Sequence, residues 1–421
     1  MRKLWLLLKG TLADLFTSGP LDYSCWIFSS TDNSAYNYNS KYLIEYVREQ
    51  FPEIRAYYVV NDADKRTVLT EKYGNYFFAT DSWRGMKKAL HAGVWLSSAG
   101  MPVYSLLNKA NNKQTGKKIY GSRIIVNLWH GIPLKKIALE EERCSPLERM
   151  YFSFIFSPKY TYVLTTSHAL LRVMSKSFGV SEKKVKIWGQ PRNDELLHKA
   201  LPKDSAADLE ALSSERVDAN LKTCISRLPF HRKLILYAPT YRENEATQLF
   251  PFKDFSQKRL EQWLEEKQCA ILICKHISES GRFKDYCGDR VEVLDDIEDI
   301  TCCLPYFDML ITDYSSIFID YLLLQRPMLF LPYDQKEYLA KRGFNFDYDT
   351  VSPGPKPETF ESFLLETEHL LDADKYYAEE RSRVNRFFNE IQSPCCGNIC
   401  KKIIKEIERR THEKSNHVRN I

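Results

Sequence analysis

Residues 307–332, F-D-M-L-I-T-D-Y-S-S-I-F-I-D-Y-L-L-L-Q-R-P-M-L-F-L-P, decide the fold class. An apolar run at 309–311 leads into a polar turn at 312–316, and apolar residues return at 317–324 and again at 328–331. This order predicts a strand, a turn, a helix and a second strand, which is the βαβ unit of a parallel sheet. We therefore expect an α/β protein.

The polar turn of this unit has the chemistry of a phosphate site. It is rich in hydroxyl groups and precedes a predicted helix, whose free N–H groups and positive dipole end attract anions. Asp320 lies four residues after Ser316 on the same helix face, where its carboxylate can accept hydrogen bonds from ribose hydroxyls. The alternative is that Asp313 and Ser315 only cap the helix. The candidate nucleotide-binding residues here are Thr312, Asp313, Ser315, Ser316 and Asp320.

Pairs of a strand and a polar turn recur along the chain. Most of the predicted strands end in small polar residues, as in an open α/β sheet whose ligands bind outside the carboxyl ends of the strands. A helical pattern runs from residue 358 to the end, and a further helix is predicted at 39–50. The other predicted strands are 26–28, 56–60, 94–96, 123–128, 162–164, 233–237, 270–274 and 291–294.

Length and composition divide the chain into two domains. Its 421 residues exceed one ordinary core, and 44% apolar with 27% charged residues is typical of a soluble globular protein. A charged segment rich in Ala and Ser, without a predicted strand, separates the two halves. The predicted organisation is a first α/β domain at 1–195, a helical connection at 196–228, a second α/β domain at 229–390, and a helix with a basic tail at 391–421.

The net charge of +5 is mild but unevenly distributed. Basic residues cluster within the first nine residues, between Lys109 and Arg123, and after Lys401. Such clusters suit phosphate-rich or anionic membrane surfaces. The alternative is a solvated face or a disordered end, which explains the C-terminal tail equally well. We expect no nucleic-acid partner.

The N-terminal segment does not have the features of a membrane span. Its longest apolar run, at 4–8, is far shorter than the roughly 20 residues that a span needs, and it lacks a signal-peptide cleavage site. Leucines recur at helical spacing in the predicted helix 1–16, so this helix either lies on a membrane surface or packs on the domain. We expect a cytoplasmic protein.

Cysteine usage and the known cofactor motifs exclude several classes of site. Eleven cysteines, an odd number, suit buried free thiols, and Cys395-Cys396-x3-Cys400 lacks the second ligand pair of a closed zinc site. Neither G-x-G-x-x-G nor a P-loop is present. No acidic triplet suited to a tightly held metal stands out, so we expect no cofactor and a charge-clamp mechanism in place of two metals, with dependence on a divalent metal left open.

His130 is the first candidate catalytic residue. It lies in N-L-W-H-G, directly after a predicted strand, where the side chain would be exposed at the carboxyl edge of the sheet. A histidine with a pKa near neutrality can take a proton from a hydroxyl group. The alternative is an ordinary surface histidine in a loop. Lys135 and Lys136 follow closely and either neutralise phosphate or are solvated.

Arg192 and Asn193 lie in the turn G-Q-P-R-N-D, just before the proposed connection between the domains. An arginine is suited to bidentate contact with phosphate. The alternative is a plain proline turn with a surface pair between Arg192 and Asp194.

Three further positive or titratable groups follow strands of the second half. Arg242 ends A-P-T-Y-R, and Lys275 and His276 end I-C-K-H. They would lie near the helix start at Ser315, because the carboxyl ends of parallel strands meet at one edge of a sheet. Such a clamp of charges stabilises the transition state of phosphoryl transfer.

Six motifs in order resemble the CDP-glycerol glycerophosphotransferase family, which includes teichoic-acid primases and polymerases. They are N-L-W-H-G-I-P-L-K-K-I, G-Q-P-R-N-D, I-L-Y-A-P-T-Y-R, K-H, I-T-D-Y-S-S-I-F-I-D-Y and F-L-P-Y-D-Q-K-E-Y-x3-R-G-F. The resemblance covers residues 93–355. It implies a GT-B architecture of two Rossmann-like domains facing a cleft, with the acceptor side in 1–195 and the nucleotide donor in 229–390.

The resemblance also implies roles for individual residues. His130 is similar to the general base of the family and His276 to a second essential histidine near the donor diphosphate. Ser315, Ser316 and Asp320 resemble nucleotide-site residues, and Arg242 looks like a phosphate contact. The sequence departs from the family in reading C-K-H where K-P-H is common. The polymerases of the family often carry an extra N-terminal domain, whereas W-H-G begins here at residue 129, so we expect room for one acceptor domain only.

The expected function is transfer of glycerol phosphate from CDP-glycerol to a hydroxyl of a lipid-linked or polymeric acceptor, with release of CMP, in teichoic-acid-like or capsular polymer synthesis. The family implies a peripheral enzyme on the inner face of the cell membrane. Three alternatives remain open: a CDP-ribitol donor, a GT-B glycosyltransferase that uses a nucleotide sugar, and a non-catalytic protein that binds anionic polymer.

Overall fold

The chain forms two compact units. The first comprises Met1–His130, Ile137–Asp194 and Ser393–Ile421, and the second comprises Gly131–Lys136 and Glu195–Gln392. The computed structural model describes residues 2–17, 19–107, 123–142, 144–157, 159–198, 218–242, 247–274, 283, 286–294, 297, 299–373 and 375–419.

The first unit contains a parallel sheet. Its described strands are β1 (Asp22–Ser29), β2 (Arg55–Val59), β3 (Phe77–Phe78), β4 (Ala92–Ser97), β5 (Ile124–Asn127), β6 (Tyr162–Thr165) and β7 (Val185–Ile187), in the order β3-β2-β1-β4-β5-β6-β7. In β1, Trp26 lies opposite Ala56 of one neighbour and Val94 of the other. All residues of β4 and β5 are buried, as expected where helices cover both faces of a sheet.

The second unit contains a smaller parallel sheet. Its described strands are β8 (Lys233–Ala238), β9 (Cys269–Cys274), β10 (Val291–Leu294), β11 (Met309–Thr312) and β12 (Met328–Phe330), in the order β10-β9-β8-β11-β12. Leu310 of β11 lies opposite Leu236 of β8 and Met328 of β12. Apolar side chains from the strands and from neighbouring helices form one core.

Helices connect and cover the strands. The α-helices are α1 (Arg2–Phe16), α2 (Tyr38–Gln50), α3 (Ala63–Tyr73), α4 (Trp83–His91), α5 (Pro146–Ile155), α6 (Leu171–Phe178), α7 (Asn193–His198), α8 (Ala219–Arg227), α9 (Gln257–Glu266), α10 (Ile317–Tyr321), α11 (Gln335–Arg342), α12 (Tyr348–Val351), α13 (Phe360–Asp372), α14 (Ala378–Phe388) and α15 (Cys396–Arg419). Shorter 3₁₀ turns are Thr31–Asn33, Ala138–Glu140, His168–Leu170, Glu182–Lys184, Ile300–Tyr306 and Leu322–Leu324. Within the described ranges, none of these helices is both long and apolar enough to cross a bilayer.

The predicted α/β class is confirmed, and the ends of each predicted strand lie within four residues of the observed ones. The short strands β3 and β7 were not predicted, because two or three residues show no periodicity. Most of the predicted connection at 196–228 and most of the basic segment at 109–123 lie outside the described residues.

Two segments show how the units differ from the predicted domains: 391–421 was predicted as a separate helix and tail, and 131–136 as part of the first domain. Residues 393–421 join the first unit, because the Asp194 carboxylate accepts hydrogen bonds from the N–H groups of Cys395 and Cys396 at the start of α15, at 2.7 and 2.9 Å. Residues 131–136 join the second unit, because Asn345 donates to the carbonyls of Pro133 and Lys135 at 2.8 and 2.9 Å.

Candidate active site

The order of strands predicts where ligands bind in each unit. In the first sheet the order reverses between β1 and β4, and in the second sheet it reverses between β8 and β11. In open α/β sheets, ligands occupy the crevice outside the carboxyl ends of the strands at such a point. The residues that follow β1 and β4 in one unit, and β8 and β11 in the other, are therefore the first candidates. The residues after β5, the strand next to β4, lie beside them.

In the first unit, His130 follows β5 and is held at the end of β4. Its Nδ1 lies 3.0 Å from the carbonyl oxygen of Ser98. A carbonyl can only accept a hydrogen bond, so Nδ1 carries the proton and Nε2 keeps its lone pair. The imidazole also lies against the rings of Trp129 and Tyr38, with centroids 3.9 and 5.1 Å away.

The environment of His130 favours its neutral form. Burial lowers the pKa of His130 to about 4, the hydrogen bond to Ser98 opposes this shift, and the positive charge of Arg192 adds to it. The prediction of an exposed ring with a pKa near neutrality is therefore wrong, because the ring is partly enclosed and its pKa lies well below neutrality. An imidazole that is neutral at pH 7 can accept a proton, but a pKa this low makes it a weaker base than one with a pKa near the working pH.

Arg192 and Asn193 were predicted to bind phosphate or nucleotide, and the structure gives Arg192 another role. Its side chain is buried and donates to the carbonyl of His130 at 2.6 Å and to Oε1 of Gln190 at 3.2 Å. The alternative of a surface pair with Asp194 is also wrong, because both residues are buried. The Asp194 carboxylate accepts hydrogen bonds from the N–H groups at the start of α15. Asn193 begins α7 and is buried.

In the second unit, the side chains of Thr312 and Asp313 join β11 to β8. The Thr312 hydroxyl donates to the carbonyl of Ala238 at 2.6 Å. The Asp313 carboxylate accepts hydrogen bonds from the N–H groups of Thr240 and Tyr314, at 2.8 and 2.6 Å. Both residues are buried, and their side chains hold the two strand ends together. Their predicted contacts with a nucleotide stay predictions.

Arg242 bridges two carboxylates at the same edge. Its guanidinium contacts Asp313 at 2.7 Å and Asp334 at 2.9 and 3.0 Å. Burial alone would lower the pKa of Arg242, but the two carboxylates raise it above its ordinary value. Arg242 was predicted to contact phosphate, but its guanidinium already binds two carboxylates within the protein. These contacts fix the loops after β8 and β12.

Ser315 and Ser316 remain half-buried at the start of α10. Ser316 makes no side-chain capping bond, and the Ser315 hydroxyl lies a long 3.4 Å from the N–H of Ile317. The predicted helix at 317–324 is divided into α10 and the 3₁₀ turn Leu322–Leu324. Asp320 lies on α10 and is buried. The predicted contacts of Ser315, Ser316 and Asp320 with a nucleotide stay predictions.

Lys135 lies beside this edge within the second unit. Its ammonium group donates to the hydroxyl of Tyr338 at 2.9 Å, and the Tyr338 ring stacks on Tyr314 at 4.3 Å. Burial lowers the pKa of Lys135 to about 8, although Asp313 acts in the opposite direction. Lys135 is thus a partly buried cation, held by an aromatic cluster.

Lys275 and His276, which follow β9, lie outside the described residues, so their predicted roles stay predictions. Elsewhere in the described part of the chain, no three or more His, Cys, Asp or Glu side chains are arranged to hold a metal ion.

Three functionally placed residues escaped the sequence analysis: Asn39, Ser98 and Asp334. Asn39 donates to the carbonyls of Leu128 and Trp129, which are 89 and 90 residues away in the chain. Asp334 lies in the quoted motif F-L-P-Y-D, so the motif was a signal for it, whereas Asn39 stands at the start of a predicted helix with no such signal.

Comparisons with known proteins agree on one family. A family model described as CDP-glycerol:poly(glycerophosphate) glycerophosphotransferase matches residues 12–409. The teichoic acid poly(glycerol phosphate) polymerase of Staphylococcus epidermidis is 26% identical over 398 residues, covering 90% of this chain and 51% of that protein. The teichoic acid glycerol-phosphate transferase of Staphylococcus aureus is 29% identical over 287 residues, covering 66% of this chain and 70% of that protein. The chain thus spans about half the length of the first of these relatives.

A solved structure of the wall teichoic acid polymerase TagF has the same fold. It superposes with a TM-score of 0.74 at 23% identity and covers 96% of this chain and 94% of that chain. The prediction of a GT-B-type α/β chain with two parallel sheets is thereby confirmed at the level of the fold.

Proposed function

Since the chain belongs to the CDP-glycerol:poly(glycerophosphate) glycerophosphotransferase family, we propose that it transfers glycerol phosphate from CDP-glycerol to a hydroxyl group of a lipid-linked or polymeric acceptor and releases CMP. The reaction would serve teichoic-acid-like or capsular polymer synthesis. The observation that carries this proposal is the geometry of His130: a neutral imidazole at the carboxyl edge of a parallel sheet, with Nδ1 on a carbonyl and Nε2 as the remaining acceptor.

The proposed reaction is an in-line displacement at phosphorus. Nε2 of His130 takes the proton of the acceptor hydroxyl, and the oxygen forms a bond to the glycerol-bearing phosphorus of the donor. The bond from that phosphorus to the bridging oxygen breaks, and CMP leaves with the electron pair. The imidazolium then returns its proton to solvent or to the leaving phosphate.

The second unit is proposed to hold the donor. The hydroxyls of Ser315 and Ser316 and the free N–H groups before α10 offer hydrogen bonds to a diphosphate. Lys275 and His276 follow the neighbouring strand β9 in sequence and are proposed to neutralise the charge that develops on the leaving group. Asp320 is proposed to accept from the ribose. Arg242 contributes by fixing the edge and not by direct contact.

We also propose that the protein works on the inner face of a membrane, as a peripheral protein. Ten of the sixteen large hydrophobic side chains that are exposed in the described residues lie on α1, on α5 or at Leu106. On α1 they are Leu4, Trp5, Leu8, Leu12, Leu15 and Phe16. An exposed apolar helix face flanked by basic residues is typical of a helix that lies in a lipid interface.

Packing within the first unit connects these exposed side chains. The N–H of Leu106 donates to the Thr11 hydroxyl of α1 at 2.9 Å. Two residues earlier, the ring of Tyr104 packs on Phe156 at the end of α5, at 5.8 Å. On α5 the exposed large hydrophobic residues are Leu147, Met150 and Phe154, whose spacing places them on one helix face.

A donor screen tests the proposed transfer. The protein is incubated with CDP-glycerol, CDP-ribitol and a set of nucleotide sugars over lipid-linked and polymeric acceptors, and CMP release and product length are measured. We expect CMP only from a CDP-polyol, with glycerol phosphate added to the acceptor. Turnover of CDP-ribitol alone, or of a nucleotide sugar, would replace the proposed donor, and no turnover of any donor would favour a non-catalytic polymer-binding protein.

A further inference from the structure

The backbone around His130 is held by two buried side chains. Asn39 donates from Nδ2 to the carbonyl of Leu128 at 3.0 Å and to that of Trp129 at 2.9 Å. Arg192 donates to the third consecutive carbonyl, that of His130, at 2.6 Å. The Oδ1 atom of Asn39 in turn accepts from the N–H of Arg192 at 3.1 Å. Every hydrogen-bonding group of this one amide is used to position the turn that carries the histidine.

The turn needs this support because its backbone is strained. Trp129 has a φ of 54°, in the left-handed region that a residue with a bulky side chain rarely adopts. Such a conformation costs on the order of 1–3 kcal/mol and persists only where its surroundings determine it. The two hydrogen bonds from Asn39, to the carbonyls of Leu128 and Trp129, hold Trp129 in this conformation.

The same helix turn also fixes the partner of the imidazole. Ser40, next to Asn39 in α2, donates its N–H to the Ser98 hydroxyl at 2.8 Å, and that hydroxyl donates to the Ser40 hydroxyl at 2.9 Å. The Ser98 carbonyl holds Nδ1 of His130. The first turn of α2 therefore controls the histidine from both sides, through its backbone and through its ring.

We propose that Asn39 is a positioning residue of the transfer reaction. Its side-chain amide keeps the strained turn and Arg192 in place, so that His130 has its proton on Nδ1 and its free lone pair on Nε2. The inference rests on the proposed function, because it assigns a role in that reaction, but the tautomer and position of His130 can be observed without substrate.

The substitution Asn39→Asp tests the role of the amide. It keeps the size of the side chain and the acceptor for the Arg192 N–H, but it turns a carboxylate oxygen toward two carbonyls in place of the donor. We expect kcat for CMP release to fall about 10²-fold, as for the loss of a group that orients a catalytic residue. The KM for CDP-glycerol should change by no more than about twofold, because the donor site is untouched.

Asn33 supplies a matched control. It is a buried asparagine of the same unit and also donates from Nδ2 to two consecutive carbonyls, those of Met101 and Pro102, at 3.1 and 3.2 Å. Asn33→Asp should lower the melting temperature about as much as Asn39→Asp while leaving kcat within about threefold of the wild type. Equal losses of kcat in the two variants would overturn the proposal.

A double-mutant cycle separates positioning from general damage. If Asn39 acts through His130, the variant Asn39→Asp/His130→Ala should be no slower than His130→Ala alone. Losses of kcat that multiply would contradict the proposal. Should Asn39→Asp fail to fold, Arg192→Lys replaces it, because it keeps the positive charge but loses the planar donor group, and an unchanged kcat there would be the contrary result.

Nitrogen NMR of the His130 ring tests the inference independently of turnover. The wild type should show the neutral tautomer protonated on Nδ1, and Asn39→Asp should show a mixture of both tautomers. Absence of CDP-glycerol turnover together with this spectral change would refute the proposed function and leave the positioning role standing. An unchanged tautomer in Asn39→Asp would refute the positioning role.

Discussion

At the scale of single residues, the candidate site depends on side chains that hold other side chains. His130 has the ring geometry of a base only because Ser98, Asn39 and Arg192 fix its ring and its backbone. In the second unit, Arg242 ties the loops after β8, β11 and β12 through Asp313 and Asp334. A buried carboxylate left without this partner would cost roughly 3–5 kcal/mol of stability, so Arg242 is important even without contacting substrate.

The pKa of His130 gives a prediction about pH. Because burial lowers it to about 4, His130 stays deprotonated down to that pH, and its loss as a base begins only when the pH falls through about 4. The titration of the His130 ring, followed by NMR and assigned by comparison with His130→Gln, should have its midpoint near pH 4. Protonation of His130 should therefore lower kcat/KM only when the pH falls to about 4. A midpoint near 6.5 would contradict the environment described here.

Sequence reasoning located these residues but not all of their roles. It found His130, Arg192, Arg242 and the turn after β11 because polar residues at strand ends stand out between apolar runs. It could not assign Arg192 or Asp313 to internal hydrogen bonds, because one partner of each, the His130 carbonyl and the Thr240 N–H, is 62 and 73 residues away in the chain. Asn39 and the carbonyls it holds, for example, are about 90 residues apart.

At the scale of elements, long apolar patterns gave reliable predictions and short ones did not. The strands β1, β4, β8 and β11 have several consecutive buried apolar residues, whose pattern is visible in the sequence. The edge strand β3 has only two residues, and its existence depends on the hydrogen bonds that β2 offers. Tertiary packing, which local sequence does not contain, decides such elements.

The helix α15 gives a prediction about stability. Glu406 is buried and accepts hydrogen bonds from Arg409 and Arg410 at 2.7–2.9 Å. Burial alone would raise the pKa of Glu406, but the two arginines lower it to about 2. A carboxylate whose pKa is lower in the folded state stabilises the fold fully above its unfolded value, 4.5, and loses this contribution as the pH falls toward 2.

Glu406→Gln should therefore lower the melting temperature at pH 7 by several degrees, and the difference from the wild type should shrink between pH 4.5 and pH 2. Glu408→Gln is the control, because Glu408 is an exposed carboxylate on the same helix. A pH-independent difference, or an equal effect of the control, would show that the arginines do not act on Glu406 in this way.

At the scale of the whole molecule, the domain organisation was the least predictable feature. The predicted end of the first α/β domain, 195, lies next to the Asp194–Glu195 division of the units. The return of the C-terminal helix to the first unit depends on the Asp194 carboxylate, which the sequence presents as an ordinary turn residue. Assignments of this kind require the three-dimensional contacts.

The proposed membrane face gives a prediction for the complete protein. The variant Leu8→Glu/Leu12→Glu should lose most of its co-flotation with vesicles that contain phosphatidylglycerol, because two charges would enter the apolar face of α1. The control is Val68→Glu, at an exposed hydrophobic position on α3 of the same unit, and it should float like the wild type. Equal flotation of all three proteins would refute the role of α1.

The most direct test of the central claim is CMP release by His130→Ala in the presence of CDP-glycerol and acceptor, with donor binding measured on the same preparation. We expect the variant to bind CDP-glycerol with wild-type affinity and to release CMP at least about 10²-fold more slowly, because it lacks the proposed general base and keeps the proposed donor site. Normal CMP release by this variant would show that His130 is not the base.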